Sequence, residues 1–124
     1  MSKIINTDKA PKAIGPYSQA VCVGNLVFTS GQIAINPVTG DIEAQTVKEQ
    51  TEQVCKNIIQ ILKASGTDID KVVKTTCFLQ SMDDFDAFNK VYEKYFVSKP
   101  ARSCVAVKQL PKNVLVEIDT ITEI

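Results

Sequence analysis

Two stretches of the chain repeat apolar residues at the spacing of an amphipathic helix. The first begins after Thr46, opens on a Thr-x-x-Glu capping box that ends at Glu49, and stops before Gly66. The second follows Ser81 and stops before Pro100. One polar and six apolar residues share its inward face: Asn89, Phe85, Phe88, Val91, Tyr92, Tyr95 and Phe96. The pattern predicts two helices, each with one apolar side for packing.

Six shorter runs, rich in β-branched or alternating apolar residues, predict strands. Residues 17–23 and 26–30 flank the dipeptide Gly24-Asn25, which favours a two-residue hairpin turn. Gly31 then interrupts the apolar pattern, which indicates a bulge or a close backbone approach. The remaining runs are 32–35, 72–79, 100–107 and 114–119. The predicted order of elements is therefore strand, strand, strand, helix, strand, helix, strand, strand.

The last two predicted strands carry the candidate chemistry. If residues 109–112 form a hairpin loop between them, Cys104 lies opposite Glu117 and Arg102 lies opposite Asp119. Arg102, Cys104 and Glu117 then share one face of the sheet. A cation, a thiol and a carboxylate within reach of one small molecule predict a ligand site there.

The same pattern predicts one α+β domain over residues 1–124, with the two helices on one face of the sheet. The other face still carries apolar residues, for example Val114, Val116 and Ile118 or their strand neighbours. Because an uncovered apolar face is unfavourable in water, the sequence predicts an oligomer.

Composition narrows the function classes. Lys plus Arg and Asp plus Glu both number 14, and no basic block occurs, so a nucleic-acid partner recruited by charge is not expected. No apolar run is long enough for a secretory signal or a membrane span, so we expect a soluble, cytoplasmic protein without a membrane partner. The chain has no histidine, which excludes Ser-His-Asp and Cys-His catalysis and disfavours metal sites. Four widely separated cysteines predict free thiols, of which Cys22, Cys55 and Cys77 are assigned to packing.

Each candidate site residue also has a structural explanation. Arg102 can serve as a carboxylate clamp or as a salt-bridge partner of Asp119. Cys104 can position a water molecule or pack as a small apolar residue. Glu117 can act as a general acid and base if it is desolvated, or it can face solvent. Weaker candidates for substrate binding are Tyr17, Ser30, Gly31 and Asn89. Tyr17 and Asn89 also fit a hydrogen-bonded structural role, and a plain bulge also explains Ser30 and Gly31.

Several motifs, in this order, resemble those of the RidA (YjgF) family of reactive-intermediate deaminases. They are AIGPYSQAV near the start, TSGQI after the first hairpin, VKTTCFL, the helix FNKVYEKYF, PARSCV, and LPKNVLVEI near the end. The resemblance extends over essentially the whole chain. One departure is the link 97–99 before Pro100, which is shorter than in some relatives and lies near the expected pocket mouth.

The resemblance implies a chorismate-mutase-like α+β fold with a mixed sheet, assembled as a homotrimer with a barrel-like sheet core and pockets between subunits. It implies hydrolysis of imines and enamines such as 2-aminoacrylate, released by pyridoxal-phosphate enzymes, to 2-keto acids and ammonia, without a metal or cofactor. Residue by residue, Arg102 corresponds to the carboxylate-binding arginine, Cys104 to the cysteine beside the catalytic water, and Glu117 to the acid that polarises this water. Substrate-binding positions correspond to Tyr17, Ser30, Gly31, Asn89 and Arg102.

Two other functions are considered for this sequence. In one, the same pocket binds short 2-keto or carboxylic acids without turnover, and the trimer regulates a partner protein. In the other, the protein cleaves RNA, which fits poorly with zero net charge and the absence of histidine.

Overall fold

The computed structural model describes residues 2–124, which form six strands and two α-helices. In chain order these are β1 (Ser2–Ile5), β2 (Ala20–Val23), β3 (Leu26–Thr29), α1 (Val47–Ala64), β4 (Val72–Leu79), α2 (Phe85–Tyr95), β5 (Ala101–Ala106) and β6 (Val116–Glu123). Short 3-10 turns precede β4, α2 and β6.

The strands form one mixed sheet in the order β1-β2-β3-β6-β4-β5. Strands β4 and β5 run parallel, because α2 connects them as a crossover, and every other pair is antiparallel. Helix α1 packs against α2, β6 and β3. The α+β architecture with both helices on one face of a mixed sheet confirms the predicted fold class.

Local signals in the sequence correctly located most elements. The hairpin of β2 and β3 has the predicted register, with Val23 paired to Leu26. Helix α1 begins at the predicted cap, where the Thr46 hydroxyl accepts from the Glu49 amide at 3.2 Å. The Glu49 carboxylate completes the cap differently from a standard capping box, since it accepts from the Thr46 hydroxyl at 3.0 Å.

The strand prediction differs from the structure at two places near the start of the chain. Residues 2–5, where no strand was predicted, form the edge strand β1, which pairs with β2. Residues 32–35, expected to form a strand, contribute a single bridge between Gln32 and Ile118.

The predicted hairpin between the last two strands is also wrong, because β4 lies between β5 and β6. Cys104 pairs with Cys77 on β4, and Cys77 pairs in turn with Ile118 rather than Glu117. Since side chains alternate along a strand, this one-residue difference places Glu117 on the opposite face from Cys104.

The two faces of the sheet differ in their covering. On the helix-covered face, Val116 and Ile118 are fully buried in the core, so of the two sets that the sequence left open, these residues and their strand neighbours, the uncovered set is the neighbours. The other face, here called the open face, carries Phe28, Phe78 and Val105, of which Phe28 is 40% and Val105 47% exposed. An apolar face without a helix over it therefore exists, but it is made of the alternate positions. Within residues 2–124, no helix is both long enough and apolar enough to cross a membrane.

Candidate functional site

The predicted site residues fall into two groups on opposite sides of the sheet. Asn89, Arg102 and Cys104 lie on the helix-covered side and are here called the arginine half-site. Tyr17, Ser30, Gly31 and Glu117 line one cavity and are here called the glutamate half-site. One chain therefore does not bring Arg102, Cys104 and Glu117 onto one face, which contradicts the expectation from the hairpin register.

Arg102 is held by three side chains of helix α2. Its Nη1 donates to Asn89 Oδ1 at 2.6 Å, and its Cζ lies 4.8 Å from the ring centroid of Tyr92 and 5.4 Å from that of Phe85. Asp119, the alternative salt-bridge partner, pairs with Thr76 and so lies on the open face. Within residues 2–124, Asn89 is the one hydrogen-bond partner of the Arg102 guanidinium, which leaves its other donors for a ligand.

The surroundings of Arg102 form a cavity of about 470 Å³. Its lining includes Lys99 and Val97, so the short link 97–99 is next to the guanidinium. Lys99 adopts a left-handed backbone conformation, with φ of 52°. The link 97–99, including Lys99, therefore lines the same cavity as Arg102.

The surroundings of Cys104 favour its thiol form over the thiolate. Cys104 is half-buried, and burial raises the pKa of its thiol, although the nearby Arg102 charge acts in the opposite direction. It follows Arg102 by two residues on β5, so both side chains are on one face. Cys104 can therefore orient a water molecule or a ligand nitrogen beside the guanidinium, through weak hydrogen bonds.

Glu117 packs against the backbone of Gly31. A Cβ at position 31 would come within 2.9 Å of the Glu117 Cδ and closer still to its Oε2, so only glycine leaves room for the carboxylate. The bridge between Gln32 and Ile118 holds the two segments in this arrangement, with amide-to-carbonyl distances of 2.8 and 3.1 Å. The close approach that an interrupted strand indicated at Gly31 is thus present, and Glu117 is the group that it accommodates.

The environment of Glu117 favours its protonated form more than water does. Desolvation raises the pKa of its carboxyl group, and the negative charge of Asp119 on the same strand raises it further. Desolvation also raises the pKa of Asp119, while a hydrogen bond from Thr76 and the charge of Lys74 lower it. A carboxylate with a raised pKa exchanges protons more readily near neutral pH, as a general acid and base must.

The cavity beside Glu117 measures about 540 Å³ and has apolar walls. Three isoleucines and two prolines line it together with Lys12 and Lys112: Ile14, Ile33, Ile35, Pro11 and Pro111. The Ser30 hydroxyl donates to the Ser18 carbonyl at 2.6 Å, so its proton is already used within the fold. Tyr17 also lines this cavity and is half exposed.

The sequence did not identify the residues that position the side chains of the two half-sites, although a signal existed for some of them. Gln19 is buried and binds loop 7–11, which leads into the cavity wall, through Thr7 and the carbonyls of Ala10 and Pro11. Gln19 lies within the motif AIGPYSQAV, but no local pattern indicates that its side chain binds this loop. By contrast, the contacts of Phe85 and Tyr92 with Arg102 had a signal, because Phe85, Asn89 and Tyr92 follow one another at helical spacing.

No group of three or more His, Cys, Asp or Glu side chains in residues 2–124 is arranged to hold a metal ion. All four cysteines are free thiols, and Cys22, Cys55 and Cys77 are buried as expected for packing residues.

The chain resembles known proteins over nearly all of its length. Residues 7–124 match the family described as Endoribonuclease L-PSP. A Lactococcus lactis protein named AldR and described as a candidate regulator is 53% identical over 123 residues, which are 98% of this chain and 98% of that protein. Reactive Intermediate Deaminase A, chloroplastic, of Arabidopsis thaliana is 49% identical over 120 residues, 96% of this chain and 64% of that protein.

The fold is also similar to that of a solved structure, Escherichia coli TdcF with bound serine. It superimposes with a TM-score of 0.93 at 43% identity and covers 98% of each chain. Sequence similarity and fold therefore agree, and the chain belongs to the Endoribonuclease L-PSP family, in which the RidA (YjgF) proteins that its motifs resemble are found.

Proposed function

We propose that this protein hydrolyses short 2-imino acids, such as 2-iminopropanoate and 2-iminobutanoate, to 2-keto acids and ammonia. The enamine 2-aminoacrylate enters the same reaction after it tautomerises to 2-iminopropanoate. The observation that carries the proposal is the pair of half-sites: a fixed arginine with free donors and a desolvated carboxylate with a raised pKa. An arginine that binds the substrate carboxylate and an acid that moves protons at the imine are what this reaction requires.

In this proposal the site is completed between neighbouring copies of the chain in a homotrimer. Arg102 and Glu117 lie on opposite faces of one sheet, so a single chain cannot direct both at one small molecule. The apolar open face, with Phe28 and Val105 partly exposed, supplies a reason for the copies to associate. The arginine half-site of one subunit then faces the glutamate half-site of the next.

Binding begins with the carboxylate of the 2-imino acid on Arg102. The planar guanidinium offers a bidentate fork, and contacts with Asn89, Tyr92 and Phe85 fix its orientation before the ligand arrives. Because the arginine is already positioned, less freedom is lost on binding. The imine carbon is thereby held where a water molecule from the glutamate half-site can reach it.

Glu117 then carries the protons. As a carboxylate it takes a proton from water while the oxygen bonds to the carbon of the protonated imine, which gives a neutral carbinolamine. The protonated Glu117 returns that proton to the amine nitrogen, the carbon–nitrogen bond breaks, and ammonia leaves. The Glu117 carboxylate regenerated in this step accepts the proton of the carbinolamine hydroxyl as the carbonyl of the 2-keto acid forms, and it releases that proton to the ammonia, which becomes ammonium. General acid–base catalysis of this kind typically contributes ~10²–10⁴-fold, and the Cys104 thiol orients the water or the nitrogen.

Two relatives support the assignment. The Arabidopsis relative carries the name of a reactive intermediate deaminase, and the E. coli structure holds serine, an amino acid whose carboxylate suits an arginine. The alternative is a non-catalytic trimer that senses short 2-keto or carboxylic acids, which the name of the Lactococcus relative favours.

The test is to generate 2-aminoacrylate with a serine dehydratase and to follow the loss of the imine signal. The wild-type protein should accelerate the loss, while Arg102→Ala and Glu117→Ala should not. Lys90→Ala removes an exposed cation beside Asn89 and serves as the matched control with a normal rate. Saturable binding of 2-ketobutyrate without any acceleration would contradict the enzyme and support the sensor.

A further inference from the structure

We propose that Tyr92 is a positioning residue for Arg102, and that the Thr75 hydroxyl fixes the Tyr92 ring against the guanidinium. Arg102 then owes its orientation to strand β4 as well as to helix α2. The consequence for carboxylate binding rests on the proposed function, whereas the positioning of the guanidinium does not.

The Arg102 guanidinium lies against side chains of one helix, α2. Phe85, Asn89 and Tyr92 follow one another at i, i+4 and i+7 on α2, so they form one stripe on the helix. Both rings are within the ~6 Å at which a cation interacts favourably with an aromatic face. A hydrogen bond to Asn89 alone would leave the guanidinium free to rotate about that contact, and the two rings restrict this rotation.

The hydroxyl of Tyr92 has a buried hydrogen-bond partner. Its oxygen lies 2.7 Å from Thr75 Oγ1, and both residues are buried, Tyr92 at 8% and Thr75 at 0% exposure. The Tyr92 ring also stacks on Phe96, with the centroids 4.4 Å apart. Burial raises the pKa of Tyr92 to about 12, so the hydroxyl keeps its proton. The ring is therefore fixed at its polar end and along one side.

Thr75 lies on β4, next to the strand that carries Arg102. Thr75 is the direct partner of Arg102 in the register of β4 with β5. Each of the three residues thus contacts the other two. The Arg102 guanidinium lies against the Tyr92 ring, the Tyr92 hydroxyl hydrogen-bonds to the Thr75 hydroxyl, and Thr75 pairs with Arg102 across the two strands. The same strand pairing that locates Arg102 also locates the hydroxyl that holds its aromatic support.

A purely structural role makes a different prediction. If Tyr92 only fills the core, loss of the hydroxyl pair changes stability and leaves the guanidinium in place. Tyr92→Phe keeps the ring and removes its hydroxyl, while Thr75→Val leaves the Tyr92 hydroxyl buried without a partner and is expected to destabilise the fold. The double variant Thr75→Val/Tyr92→Phe removes both polar partners, which costs little stability, and so isolates positioning from folding.

Two readouts test the proposal on the full-length protein. The Nε–Hε resonance of Arg102 in nitrogen-15 NMR reports ring currents from Tyr92 whether or not any ligand binds. Calorimetry with 2-ketobutyrate, a stable carboxylate, reports the affinity of the arginine. In the double variant we expect the resonance to move toward that of an exposed arginine and the affinity to fall roughly three- to tenfold, as weakened cation–π support implies. Imine turnover should show a raised KM with a smaller change in kcat.

Tyr95→Phe is the matched control, because Tyr95 lies on the same helix and bonds through its hydroxyl to Glu52 instead of reaching toward Arg102. In the Tyr95→Phe variant, the Arg102 resonance and the affinity for 2-ketobutyrate should equal those of the wild type. An unchanged resonance in the Thr75→Val/Tyr92→Phe variant would overturn the proposal, whatever the affinities. If wild-type protein fails to bind 2-ketobutyrate but the resonance moves, the positioning holds and the carboxylate role of Arg102 falls.

Discussion

The two half-sites are built by opposite physical means. In the arginine half-site, side chains of one helix surround a permanent cation and stabilise its position through a hydrogen bond and two ring contacts. In the glutamate half-site, the backbone at Gly31 brings a carboxylate into a desolvated place beside Asp119, which makes its charge less stable. One half is therefore suited to hold a ligand, and the other is suited to exchange a proton.

This difference explains why neither half is sufficient. A clamp without a general base binds an imino acid and leaves it intact, and a base without a clamp has no oriented substrate. In each chain the two halves face away from each other, so the proposed reaction depends on the association of copies. The following predictions test this separation of roles, from the largest expected effect to the smallest.

Mixing two inactive variants should restore activity. Arg102→Ala and Glu117→Gln should each reduce the imine-hydrolysis rate by roughly 10²–10⁴-fold, because each removes one half of every pocket. Co-expressed in equal amounts, they should recover about a quarter of the wild-type rate, since about one pocket in four then receives both intact halves. The measurement is turnover by purified mixed oligomers.

The control for this experiment is co-expression of Arg102→Ala with the double variant Arg102→Ala/Glu117→Gln, which has no intact arginine half-site to contribute. That mixture should stay inactive. Equal inactivity of the first mixture would contradict a site shared between subunits.

Gly31→Ala should reduce kcat/KM by about 10- to 100-fold, because the added methyl group displaces the Glu117 carboxylate, and displacements of about 1 Å can cost this much. The decisive comparison is a double-mutant cycle with Glu117→Gln. If the methyl group acts through the carboxylate, Gly31→Ala causes no further loss in the Glu117→Gln background. A full additional loss there would show that Gly31 acts on the substrate directly.

Asp119→Asn should move the acid limb of the kcat/KM profile to lower pH. The Asp119 charge raises the pKa of Glu117, so its removal lets Glu117 ionise at a lower pH. Desolvation of Glu117 persists, and the limb should therefore remain above the position expected for an exposed glutamate. Asp41→Asn, which changes an exposed turn, should leave the profile unchanged. An unmoved limb in Asp119→Asn would remove Glu117 as the titrating base.

The smallest effect concerns stability. The pKa of Glu117 is raised in the folded protein, so the folded state binds this proton more tightly than the unfolded chain does. The free energy of unfolding therefore falls as pH rises from the ordinary carboxyl range through the raised value.

Glu117→Gln cannot ionise, so it should be more stable than the wild type at pH 7, and this advantage should disappear below about pH 4. Urea unfolding at both pH values and at one protein concentration measures the difference. Glu123→Gln, an exposed position on the same strand, should show no such dependence. A Glu117→Gln variant that is less stable at pH 7 would mean that the carboxylate forms favourable contacts instead.

Local patterns were sufficient for most of the fold. The apolar stripes, the cap at Thr46 and the Gly24-Asn25 turn predicted both helices and the first hairpin, because these signals act between residues close in sequence. Arg102 and Asn89 were recognisable for the same reason, since a β-strand and a helical stripe fix which way their side chains point. The confirmed family resemblance added the candidate roles of these residues.

The strand order had no local signal. Residues 107–115 link β5 to β6 by a segment that is as compatible with a hairpin as with a crossing to the far side of β4. The choice depends on burial summed over the whole sheet: every second residue of β6 is buried, which favours a central position between β3 and β4.

The sequence by itself therefore determined both helices, most of the strands, the family and the identity of the candidate residues, because these depend on short-range spacing. Only the tertiary structure decided that Arg102 and Glu117 face away from each other, that Gly31 makes room for the Glu117 carboxylate, and that Thr75 holds Tyr92 against the guanidinium. Each of these joins segments far apart in the chain, and a register one residue different would reverse the face of every side chain involved.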